Sequence, residues 1–129
     1  MIVWGGWRSS PFNDGGSYNP VADSWTSLNT NGAPTARALQ TVVWTGSEMI
    51  VWGGFNNVTN IYLGDGGRYN PTSGTWVAMS TSGAPNGRME HTAVWTGDEM
   101  LIWGGYNDNR FSDTFSYTPG RLLYLYQRP

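Results

Sequence analysis

The chain has 129 residues and a formal net charge of −2, with charged side chains at only 12% against 18 glycines, 8 tryptophans and 7 tyrosines. Low charge with many aromatics reverses the balance that keeps a chain disordered, and the length suffices to bury one core. All seven basic residues are scattered arginines, so the basic patch of a nucleic-acid binder is missing; without cysteine, disulfides, thiolate metal sites and thiol nucleophiles are excluded.

In chain order, the first element is an apolar strand, Met1 to Trp4, closed by Gly5-Gly6. A loop leads to Asp14-Gly15-Gly16-Ser17-Tyr18-Asn19-Pro20, a strand ending in turn residues. Ser24 to Leu28 follows as a strand carrying Trp25. Gly32-Ala33-Pro34 and Arg37 then precede a strand over Leu39 to Trp44. Thr45-Gly46-Ser47-Glu48 has the length of a hairpin turn, and Met49-Ile50-Val51-Trp52-Gly53-Gly54 repeats the opening block. The series continues with Asp65 to Pro71, Thr75 to Met79 around Trp76, Gly83-Ala84-Pro85, Arg88, and Glu90 to Trp95. Met100 to Gly105, Asp113 to Pro119 and Leu122 to Gln127 complete it. Four short strands recur about every 50 residues, and no segment keeps a helical period. The expected fold is all-β, one domain in units 1–36, 37–87 and 88–129.

The order and spacing of these blocks resemble the kelch-repeat family over nearly the whole chain. The resemblance rests on Gly5-Gly6, Gly53-Gly54 and Gly104-Gly105, on Tyr18, Tyr69 and Tyr117, and on Trp25, Trp76 and Tyr124. It implies a β-propeller of four-stranded blades, usually six or seven, with the first strand of each blade lining the channel. This chain holds about three blades, and the first begins at its second strand. An open arc leaves apolar end faces and bare strand edges. The expectation is a homodimer that closes a six-bladed ring.

Tryptophans fixed by the repeat are expected to pack between blades, whereas Trp7, Phe55 and Tyr106 sit in loops and suit packing or a ligand equally. Asp14, Asp65 and Asp113 are expected to cap turn amides, and Glu48 and Glu99 to be solvated turn residues. The resemblance implies partner binding at the channel mouth. Arg37, Arg88, Asn56, Asn57, Tyr106, Asn107 and Arg110 are the candidate ligand-binding residues, the arginines holding carboxylates bidentately or bonding loop carbonyls. Alternation in the inner strand would put Arg88 and Glu90 on one face.

The leading functional expectation is a non-catalytic protein- or ligand-binding propeller, with no cofactor and no resident metal. One alternative is a weak or promiscuous hydrolase at the channel mouth, with or without a metal, built from His91, Glu90 and Asp108; another is a self-assembling fragment without specific activity. No apolar run reaches the roughly 18 residues of a membrane span and no signal peptide is read. A soluble protein without membrane or nucleic-acid partners is therefore expected, its compartment unread.

Overall fold

The computed structural model describes residues 1–120 and, as a strand, Tyr124–Gln127. The first sheet is three-stranded: β1 (Ile2–Trp4), β2 (Gly15–Asn19) and β3 (Ser24–Ser27), in that order. The second contains β4 (Thr41–Trp44) and β5 (Met49–Trp52). After a small hairpin of β6 (Phe55–Asn56) and β7 (Ile61–Tyr62), β8 (Gly66–Asn70) and β9 (Thr75–Ala78) complete the order β4-β5-β8-β9. The third is β10 (Thr92–Trp95), β11 (Met100–Trp103), β12 (Thr114–Tyr117) and β13 (Tyr124–Gln127), again consecutive. Every pairing is antiparallel. Antiparallel four-stranded sheets at the repeat period fit a β-propeller, and no described helix is long and apolar enough to cross a membrane. Leu122 and Leu123, expected in the last strand, lie outside the described residues.

Turn chemistry sets the register. Thr45 N–H donates to Glu48 O at 3.0 Å, and Thr45 Oγ1 accepts from Glu48 N–H at 2.9 Å, which places Trp44 opposite Met49. At the β8–β9 corner Asn70 Oδ1 accepts from the N–H groups of Thr72 and Ser73, an Asx turn.

The core lies between blades. Met49 and Val51 pack with Trp4, Leu28, Tyr69 and Trp76 at the first interface. Ile50 and Trp52 pack with Val43, Met79, Met100, Ile102 and Tyr117 at the second. Strand β5 is thus buried on both faces, which explains a continuous apolar run where a one-faced strand would alternate.

Two details depart from the sequence reading. The inner strands start at Thr41 and Thr92, because Leu39 and Glu90 adopt left-handed backbone (φ 59° and 56°), which ends strand geometry. Arg88 and Glu90 consequently do not share a face: Arg88 is buried and Glu90 is exposed. The β6–β7 hairpin inside the longest loop was not foreseen either.

Candidate functional site

The connections entering the inner strands carry Arg37 and Arg88, and both guanidinium groups turn inward. Arg37 is 0% exposed and uses all five of its donors. Nε donates to Thr35 O (2.9 Å), Nη1 to Gly53 O and Asp65 O (both 3.0 Å), and Nη2 to Thr35 Oγ1 (3.2 Å) and Asp65 Oδ1 (2.9 Å). Burial pulls its pKa down, and the charge of Asp65 pushes it back up. Arg88 repeats the arrangement one blade on. It bonds Asn86 O (3.1 Å), Gly104 O (2.8 Å) and both carboxylate oxygens of Asp113, with the ring of Phe111 3.9 Å from its guanidinium carbon.

The same two residues join neighbouring blades. Gly6 N–H donates to Arg37 O (3.2 Å), and Gly54 N–H donates to Arg88 O (2.9 Å). Gly53, at φ 71°, has no room for a side chain, since a Cβ would lie 2.6 Å from His91 Cε1. The glycine pair therefore answers to close approach of the next blade as well as to its own turn.

This geometry favours one of two open readings and corrects two expectations. Of the two roles open to Arg37 and Arg88, both take the structural one, bonding loop carbonyls and a carboxylate with their guanidinium groups buried. Asp65 and Asp113 are their counter-ions rather than caps of turn amides. Glu48 is half-buried and pairs with Arg68 at 3.3 Å instead of standing free in water. Alternative pairings across 28 and 25 residues were open in the sequence; the signal was that each complete unit carries both an arginine and an aspartate at matching places.

His91, Glu90 and Asp108 are not brought together as a reacting group. His91 is 5% exposed; its Nε2 lies 2.7 Å from Thr41 Oγ1 and its ring stands edge-on to Trp52 at 4.9 Å. Burial, with the Arg88 charge nearby, lowers its pKa to about 4, so the imidazole is neutral near pH 7. Glu90 points outward, and Asp108 accepts a hydrogen bond from the Tyr62 hydroxyl at 3.1 Å. Among the described residues no three His, Cys, Asp or Glu side chains group as metal ligands.

The exposed surface at this end is built by the loops. Asn56 Nδ2 donates to Ala36 O (2.9 Å) and Asn107 Nδ2 to Gly87 O (2.8 Å), so both amides tie loops down. Asn57 and Arg110 remain exposed and Tyr106 is half-buried. Phe55, Tyr62 and Tyr106 form an aromatic row with centroids 4.8 Å and 6.0 Å apart. A cleft of about 280 Å³ is lined by Trp7, Ala38, Leu39, Phe55 and Asn57. Another of about 240 Å³ runs between Glu90, Trp103, Tyr106, Arg110 and Phe111. Leu39, which the sequence reading did not place among the ligand contacts, is 51% exposed there, beside Trp7 at 61%.

The repeat itself has a counterpart in known proteins. A model of the KLHDC2/KLHL20/DRC7 Kelch-repeats domain matches residues 1–123. The chain belongs to the kelch-repeat family. Among its curated relatives is Kelch domain-containing protein 3 of Homo sapiens, 27% identical over 134 residues, covering 92% of this chain and 35% of that protein. The Rattus norvegicus protein of the same name is 27% identical over 139 residues, covering 96% of this chain and 36% of that protein. Tip elongation aberrant protein 1 of Schizosaccharomyces pombe is 33% identical over 111 residues, covering 81% of this chain and 10% of that protein. The kelch chain therefore spans about a third of the length of the first of these relatives. Kelch-repeat proteins generally mediate protein binding.

Proposed function

We propose that this kelch chain is a protein-binding half-propeller, two copies of which close a six-bladed ring and present the loop face at the channel mouth. One observation carries the reading. Trp4 of the first blade packs against Trp76 of the second at 4.6 Å, and both are buried (5% and 8%). Their repeat equivalents at the two ends of the arc are Trp103 and Trp25, exposed at 56% and 55%. Each end thus carries one half of the contact that the interior makes. A two-fold axis brings Trp103 of either copy onto Trp25 of the other twice, which leaves neither end bare.

The loop face supports protein binding more than small-molecule chemistry. Its clefts are small, aromatic and rimmed by Asn57, Glu90 and Arg110, the composition of a recognition patch. Sedimentation equilibrium tests the ring: the expected mass is twice the 14.2 kDa of the chain. Trp103→Ala and Trp25→Ala should each give a folded monomer. A folded wild-type monomer at micromolar concentration defeats the reading.

A further inference from the structure

The loops on the channel-mouth face repeat one contact, and a single position changes its outcome. The aromatic residue after each glycine pair is bridged across its own loop: Trp7 to Pro11, Phe55 to Tyr62 and Tyr106 to Arg110. In the second blade that partner is long and aromatic. The Tyr62 ring lies 4.8 Å from Phe55 and reaches the next blade, meeting Tyr106 at 6.0 Å. Its hydroxyl donates to Asp108 Oδ1 at 3.1 Å. Tyr62 thus fills the space between two neighbouring loops and closes it with a hydrogen bond.

In the first blade the same place is taken by Pro11, a buried residue whose short ring does not cross to the next blade. The space between Trp7 and Phe55 stays open as a cleft of about 280 Å³, lined also by Ala38, Leu39 and Asn57. Loop length contributes. The chain spans 8 positions from Gly6 to Asp14 and 11 from Gly54 to Asp65, and the longer loop holds the β6–β7 hairpin that carries Tyr62. The cleft also repeats the chemistry that holds Tyr62. Asn57 follows Phe55 by two residues as Asp108 follows Tyr106, so it stands in the place of the hydrogen-bond acceptor. Asn57 is exposed, whereas Asn56 beside it is engaged, donating to Ala36 O and accepting from the N–H groups of Val58 and Thr59. Leu39 projects from left-handed backbone (φ 59°) and gives the cleft an apolar wall.

We infer that this cleft is an anchor site for a tyrosine side chain of a protein partner, which packs between Trp7 and Phe55 as Tyr62 packs between Phe55 and Tyr106. The guest hydroxyl donates to Asn57 Oδ1. Continuity with the existing aromatic row favours this occupant, because Phe55 borders both the filled space and the open one. An aromatic body with one satisfied polar end is the kind of group that dominates protein recognition. The inference rests on the protein-binding reading and deepens it by naming the anchor; ring closure is not required.

The test titrates the isotope-labelled full chain with N-acetyl-tyrosinamide and follows amide and indole signals by NMR. Saturable shifts are expected at the Trp7 indole N–H and the Asn57 side-chain amide. N-acetyl-phenylalaninamide should bind about fivefold more weakly, the worth of one hydrogen bond. Asn57→Leu should abolish that preference, and Asn57→Asp, which copies Asp108, should keep it. Pro11→Tyr, which copies Tyr62, should fill the cleft and block both probes. Absence of saturable shifts at Trp7 and Asn57 overturns the inference, as does equal binding of the two probes by wild type or undiminished binding by Pro11→Tyr. A chain of twice the monomer mass that ignores both probes defeats the anchor alone, whereas a folded monomer that binds tyrosinamide defeats the ring alone.

Discussion

The second blade and the first are built from nearly the same residues, yet one is the most buried part of the molecule and the other is half open. Strand β5 is inaccessible along its whole length, while in β1 only Trp4 is buried. The middle blade has an arginine keystone, an inner strand and neighbours on both sides; the first has a neighbour on one side alone. The comparison teaches that a repeat residue has no fixed energetic worth. Trp52 is 0% exposed, and Trp103, in the same repeat position, is 56% exposed. What differs is the blade beyond it, as expected for solenoid-like arrays whose stability is summed over neighbour interfaces.

Substitutions at matched positions are the sharpest way to break that comparison. Trp52→Ala removes a fully buried indole and should cost about 3–5 kcal/mol in urea unfolding. Trp103→Ala should cost the single chain less than about 1 kcal/mol while acting on self-association. Equal losses at the two sites would show that position in the repeat, rather than the neighbour, sets the cost.

The keystone gives the next largest contrast. Arg88→Ala strands the Gly104 and Asn86 carbonyls and the Asp113 carboxylate. It should cost about 3 kcal/mol, the low end for a broken buried pair because Asp113 is 23% exposed at its side chain. Asp14→Asn, the same counter-ion position without its arginine, should shift stability by less than about 0.5 kcal/mol. Thermal melts of the two variants check this directly.

A smaller effect is tied to pH. The His91 pKa is depressed in the folded chain, from 6.5 to about 4, so the unfolded chain binds the extra proton between these values. The stability is intact above about pH 6.5 and lost as pH falls towards 4, amounting to about 1 kcal/mol near pH 5.5. His91→Gln, which copies Gln40, should flatten the urea midpoint across that window. A midpoint that still falls equally in the variant would assign the pH dependence to other groups.

The repeat made most of the architecture legible. Glycine pairs, the Asn-Pro turns and the spacing of the tryptophans reported strand order and the incomplete first blade, because turn chemistry and strand alternation are local. The site was legible only in part. Arg37 and Arg88 were found as a repeating pair, but the sequence left open whether they turn inward or towards a ligand, since the choice depends on carbonyls and carboxylates contributed from 16 to 28 residues away. The aromatic row and the exposed Leu39 were missed for a similar reason: the β6–β7 hairpin and a left-handed residue set them, and neither follows from periodicity.

By itself, then, the amino-acid order determined the blade as a unit, its four-strand plan and the residues available to each face. Tertiary structure alone decided which equivalents are sealed and which stay open, as with Trp4 against Trp103 and Asp65 against Asp14. The physical reason is that burial and charge pairing belong to the interface between two blades, and a repeat specifies only one side of it at a time.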